Sequence, residues 1–252
     1  MIRSFIIISM AFAGLFSDVV QADPAMAQRI ATQQNTADRH EFDQRRDVAR
    51  QPYRLFQFLE LEQGMVALDV GAYAGYTTEM LAAAVGPEGK VYSQNTKQVH
   101  ERYADGYYER TMAERLGNNR LPNVVLHIRE YDDLGLENEV DVAFLGNLLH
   151  DFHNRDGEEN AIKFLKSIHR ALKPGGVLGV MDHVGLESEN NYPLHRMTPN
   201  LARDLLTRSG FVIEASSTLF TNPADDHSIM VYDDRVYLKT DRFLFRARKE
   251  EK

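Results

Sequence analysis

The run Val66-Ala67-Leu68-Asp69-Val70-Gly71-Ala72-Tyr73-Ala74-Gly75-Tyr76 constrains this chain more than any other stretch. An apolar segment rich in β-formers ends near an acid and enters a turn that carries two glycines. It continues into residues 77–85, whose apolar spacing is helical. A strand, a tight turn and a helix N-terminus in that order bring backbone N–H groups close to a nucleotide-like ligand. Taken alone, Gly71 and Gly75 would equally permit a tight strand-to-helix turn, and Asp69 would equally accept a cap bond. The segments that follow decide between these readings.

From Gly64 onward, strand and helix patterns alternate. Strands are predicted over 65–70, 91–94, 124–128, 140–145, 177–182 and 211–216, with helices over 77–85, 98–116, 158–172 and 199–209. Lys173-Pro174-Gly175-Gly176 is a sharp helix stop. After Phe220 a long polar loop leads to a last strand, 236–248, expected to add antiparallel. The pattern predicts an α/β fold, with a Rossmann-like seven-stranded, mostly parallel sheet covered by helices on both faces. Upstream, Pro52 divides 39–59 into two helical pieces expected at the sheet edge. There is no internal repeat, and 252 residues suit one domain, taken here as 38–250.

The N-terminus reads differently. Met1-Ile2-Arg3 is a positive start, 4–16 is apolar but too short to span a bilayer, and Val20-Gln21-Ala22 has a signal-peptidase pattern. Residues 1–22 are therefore expected to be a cleaved signal that exports the protein to the periplasm. No membrane span is expected to remain after cleavage. Residues 23–37 are polar, lack periodicity and are expected to be flexible. The net charge of −8 argues against a nucleic-acid partner, and the absence of cysteine excludes disulfides, thiolate metal sites and cysteine nucleophiles.

In an open parallel sheet the ligand lies beyond the carboxyl ends of the strands. Those ends offer Asp69 and the glycine turn, then Gln94-Asn95 about twenty residues on, where a ribose-binding acid usually sits. They also offer Glu130 with Asp132-Asp133, the box Asn147-Leu148-Leu149-His150-Asp151-Phe152, and Asp182-His183. His195-Arg196 falls in the next loop and is expected to close over the pocket.

This ordered series resembles the class I S-adenosylmethionine-dependent methyltransferases. It is most similar to a bacterial family of exported predicted methyltransferases. The resemblance runs from Asp38 to Arg248 and rests on Arg46-Asp47-x-x-Arg50-x-Pro52, Gly64–Asp69, Lys90-Val91-Tyr92-x-Gln94-Asn95, the Asn-x-x-His-Asp box, Leu-Lys-Pro-Gly-Gly, Asp182-His183, Leu194-His195-Arg196 and Asn222-Pro223-Ala224-Asp225.

The resemblance implies S-adenosylmethionine as cofactor and a small-molecule acceptor. Asp69, Gly71 and Gly75 would frame the methionine part, with Tyr73 where the usual pattern has a middle glycine. Asn95 would face the ribose, Glu130 or Tyr131 would border the adenine, and Asn147 would complete the cofactor set. Because Asn95 replaces a carboxylate, cofactor affinity is expected to be weaker by on the order of 1 kcal/mol. The His150-Asp151 box resembles that of plant-type O-methyltransferases, whose histidine is the general base. The same residues suit a histidine bonded to backbone at a strand end, with Asp151 capping the next helix. His183 is grouped with them as catalytic, and Asp182 and His195 are expected to orient the acceptor. His153 and His169 are expected at the surface, and Tyr103, Tyr107 and Tyr108 are expected to pack the sheet. No tight spacing such as H-x-x-x-H is present, so no metal is expected.

Overall fold

A computed structural model describes residues 23–187 and 189–251. The expected signal, 1–22, lies outside the described residues. The helices are α1 (Pro24–Gln34), α2 (Glu41–Arg50), α3 (Pro52–Phe58), α4 (Tyr76–Val85), α5 (Lys97–Glu101), α6 (Tyr107–Leu116), α7 (Leu149–Asp151), α8 (Glu158–Ala171) and α9 (Pro199–Arg208). The strands are β1 (Val66–Val70), β2 (Lys90–Asn95), β3 (Val124–Ile128), β4 (Val140–Gly146), β5 (Leu172–His183), β6 (Phe211–Ser217) and β7 (Arg242–Lys249). They form one sheet in the order β3-β2-β1-β4-β5-β7-β6. The first five strands are parallel, and β7 runs antiparallel between β5 and β6. Strand order reverses between β1 and β4, so a crevice opens where their carboxyl ends diverge.

Two apolar layers cover the sheet. One joins Leu68, Val70, Ala143 and Leu145 to Phe164, Leu165 and Ile168 of α8 and to Leu205 and Leu206 of α9. The other joins Ala67, Val142 and Phe144 to Met80 and Leu81 of α4 and to Leu55, Phe56 and Leu59. Central strands buried on both faces read as continuous apolar runs, which explains why the sequence pattern located them.

Four segments depart from expectation. Residues 23–36 hold α1, because Asp23 Oδ1 caps Met26 N–H at 2.9 Å and Met26 and Ile30 share one buried face. The single helix expected over 98–116 is broken, because Asp105 (φ 54°) and Gly106 (φ 73°) turn left-handed between α5 and α6. Strand β7 starts at Arg242, since 231–239 is occupied by turns and Leu238 has φ 61°. Pro52 does divide α2 from α3, yet Phe42 and Val48 of α2 are 55% and 86% exposed. Among the described residues no helix is long and apolar enough to cross a membrane.

Candidate functional site

The turn after β1 is set by amides at the end of β2. Gln94 Oε1 accepts the Gly71 N–H at 2.9 Å, and its Nε2 donates to the Arg129 carbonyl at 2.7 Å. Asn95 is fully buried; its Oδ1 accepts the Tyr73 N–H at 2.8 Å and its Nδ2 donates to the Tyr73 carbonyl at 3.0 Å. This doubly held peptide keeps Tyr73 at φ 50°, a conformation a non-glycine residue reaches at some cost. Asn95, expected to face a ribose, here binds the turn through both ends of its amide. Asp69 is likewise turned into the fold. Thr78 Oγ1 donates to it at 2.6 Å, and burial pushes its carboxyl up to about 6 despite that bond.

Above Gly71 there is no room for a Cβ. The Leu148 side chain would collide with it, and Tyr131 Oη lies 3.4 Å away. The Tyr73 ring packs edge-on against Tyr108 at 5.3 Å, and Tyr108 stacks on Tyr103 at 5.7 Å. The tyrosines at and just before the start of α6 thus form a ladder beside the turn, with Tyr103 58% exposed, and do not pack the sheet. Glu130 is exposed, whereas the Tyr131 hydroxyl and Asn147 Oδ1 are buried without hydrogen-bond partners. Asn147 sits at φ 55°, anchored by its N–H to the Met181 carbonyl at 2.7 Å.

The β4 and β5 ends bring the remaining predicted residues together. Asp182 is fully buried; its Oδ1 lies 2.7 Å from His150 Nδ1, and its oxygens accept the N–H groups of His150 (2.9 Å) and His183 (2.8 Å). Asp151 Oδ1 is 3.2 Å from His150 Nε2 without hydrogen-bond alignment, and 2.9 Å from His195 Nδ1. The His150 ring stands 5.6 Å from that of His195 and 6.0 Å from that of His183. Burial works against charge on His150, but Asp182 and Asp151 outweigh it and push the imidazole up to about 10. His183 goes the other way. Burial, with His150, Arg242, Arg196 and Arg50 nearby, holds it well below the ordinary imidazole range. Its Nδ1 pairs with Thr240 Oγ1 at 2.8 Å, and Nε2 has no hydrogen-bond partner among the described residues. His153 and His169 lie apart from this cluster; both are half-buried, His169 against Phe211 at 5.1 Å.

Several contributors carried no sequence signal of their role. Arg196, fully buried, forms a bidentate pair with Asp225 at 3.0 Å and also donates to the Val184 and Ile229 carbonyls, so the loop bearing His195 is pinned. Arg50, part of the N-terminal arm motif, lines a small recess with Tyr76, Thr77, Phe144 and Met181. Its guanidinium stacks on Tyr76 at 5.2 Å, has no ion-pair partner among the described residues, and is pulled down mainly by burial. Arg242 is pulled down to about 10 by burial and by Arg50.

Residues 29–116 match the family model of protein-L-isoaspartate(D-aspartate) O-methyltransferase. No curated protein matches the chain. Solved structures of like fold include a SAM dependent methyltransferase from Aquifex aeolicus, 19% identical over 91% of this chain and 100% of that one, with a TM-score of 0.59. The [4+2]-cyclase SpnF is 19% identical over 86% of each chain, with a TM-score of 0.61. A possible exported protein from Bordetella parapertussis is 14% identical over 80% of this chain and 67% of that one, with a TM-score of 0.54. The chain shares the fold of these solved structures, and over residues 29–116 it is similar to a family of methyltransferases; the cofactor to set against its residues is S-adenosylmethionine, the one named for the Aquifex aeolicus structure.

The residues fit that cofactor best at its amino-acid end. Arg50 offers an unpaired cation beside the start of α4, whose first N–H groups receive no side-chain cap. Tyr131 and Asn147 offer unpartnered polar atoms. The ribose end is less well provided, since Gln94 and Asn95 are already bonded.

Proposed function

We propose that the protein transfers the methyl group of S-adenosylmethionine to an oxygen of a small acceptor. The observation that carries this reading is the convergence of the β1 turn with a rim of three histidines and two aspartates at the strand order reversal. The cofactor supplies an electrophilic methyl on a sulfonium. Arg50 and the start of α4 would hold its carboxylate, with Asn147 and Tyr131 as further polar contacts. His183 is the group placed to take the acceptor proton, through the Nε2 that has no hydrogen-bond partner among the described residues. Asp182 and His195 fix the rim on which the acceptor rests.

Calorimetric titration with S-adenosylmethionine and with its demethylated product tests the reading. Binding at micromolar to sub-millimolar ligand, followed by methyl transfer from labelled cofactor in an acceptor screen, is the expected result. No heat at millimolar ligand would overturn it.

A second reading has its own support in the Asn95–Tyr73 pair and in Leu148 over Gly71. It holds that the protein keeps the fold and binds a ligand without methyl transfer, as a [4+2]-cyclase of like fold has another activity. Ligand binding with no methylated product across the screen would favour it. Export remains our proposal from the pattern of residues 1–22, and fractionation with N-terminal sequencing checks it; an intact Met1 would refute it.

A further inference from the structure

We propose that His150 Nε2, the Asp151 carboxylate and His195 Nδ1 form a binding site for one divalent ion of the zinc class, open on one side to an oxygen ligand. Their ligand atoms all lie within 4.8 Å of one another. The spacing of these residues in the chain gave no sign of it, because Asp225 and Arg196 bring His195 back to the β4 end from 44 residues away.

Three features distinguish the cluster from an incidental contact. First, His150 Nε2 is buried without a hydrogen-bond partner on a side chain that is 1% exposed, and it points towards Asp151. Second, Asp182 takes the opposite nitrogen of the same ring at 2.7 Å while held by two backbone N–H groups. A carboxylate behind a metal-binding imidazole fixes the ring and leaves the far nitrogen to face the ion. Third, Asp151 Oδ1 lies 3.2 Å from His150 Nε2 and 2.9 Å from His195 Nδ1. A tetrahedral zinc ion, with bonds of about 2.0–2.1 Å, keeps its donors about 3.3–3.4 Å apart, so the two separations from Asp151 need only open slightly, and the two histidine nitrogens already lie within 4.8 Å.

Two imidazoles and one carboxylate favour a borderline transition-metal ion over magnesium or calcium, which prefer oxygen. Asp151 and His195 are 25% and 35% exposed, so the fourth position faces the cleft and suits a hydroxyl or carboxylate oxygen of a substrate. Metal binding at this cluster does not depend on methyl transfer.

The test is zinc chloride titrated calorimetrically into chelator-stripped, dialysed full chain without S-adenosylmethionine, with visible absorption of the cobalt-substituted protein as a second readout. One ion per chain is expected. His195→Gly tolerates the left-handed backbone at that position (φ 52°) and removes one ligand. That variant and Asp151→Asn should each weaken binding by about 100-fold or more. Asp182→Asn, which touches no ion, should weaken it about 10–100-fold. His227→Ala, a histidine paired with Asp241 outside the cluster, should leave it unchanged. If Asp182→Asn fails to fold, as far-ultraviolet circular dichroism would reveal, His195→Gly decides alone. No stoichiometric uptake, uptake unaltered by His195→Gly, or loss of uptake in His227→Ala would each overturn the proposal.

Discussion

Asn95 and Tyr73 hold each other through both ends of one amide, the side-chain oxygen accepting at 2.8 Å and the nitrogen donating at 3.0 Å. A carboxylate at position 95 would accept the Tyr73 N–H but set an oxygen against the Tyr73 carbonyl. Asn95→Asp is therefore expected to lower stability by about 1–3 kcal/mol and to leave cofactor affinity no stronger. Urea unfolding beside cofactor titration measures both.

Arg50 carries charge into the recess beside α4 with no ion-pair partner among the described residues. On the methyl-transfer reading, Arg50→Ala should weaken S-adenosylmethionine binding about 10–100-fold, the range for losing a bond to a charged group. Binding of adenosine, which lacks the carboxylate, should not change. Equal losses for both ligands would remove Arg50 from that role.

Asp69 has a folded-state pKa of about 6 against an ordinary 3.8. Between those values the folded chain holds a proton that the unfolded chain has released, so this group's contribution falls as pH rises from 4 to 6 and is flat above. Asp69→Asn keeps an acceptor for Thr78 and removes the titration. It should be more stable relative to wild type at pH 7 than at pH 4, by on the order of 2–3 kcal/mol. Denaturant midpoints across that window give the comparison.

Asp225→Asn would leave the fully buried Arg196 without its counter-charge. The expected cost is about 3–5 kcal/mol, read as a lowered melting temperature. Because Arg196 follows His195, the same variant should also weaken zinc uptake.

The sheet was legible because β1, β4 and β5 are buried on both faces and leave unbroken apolar runs. The rim was legible because an α/β sheet places its strand ends together, which puts His150 and Asp182 on one rim from the sequence pattern alone. What escaped was closure by distant partners. Nothing local marks Asn95 as the clamp of Tyr73, Arg196 as the partner of Asp225, or Met26 and Ile30 as one face of a short polar helix. Leu238 escaped because leucine is not a residue type that announces a left-handed turn, whereas Asp105-Gly106 is a turn dipeptide that the helical reading of 98–116 passed over.

Behind the β1 turn, Glu79 of α4 is shared by Arg115 and Arg120, with Arg39 3.9 Å away, and Arg115 also holds Asp43 of α2 at 2.6 Å and the Ala74 carbonyl at 2.9 Å. The Glu79 and Asp43 carboxylates are almost wholly out of solvent, so mobile ions scarcely dilute their attraction. Adding electrolyte should leave the shape of the cradle alone. Any response of ligand affinity to ionic strength then reports the charge of the visitor and not a loosening of its host.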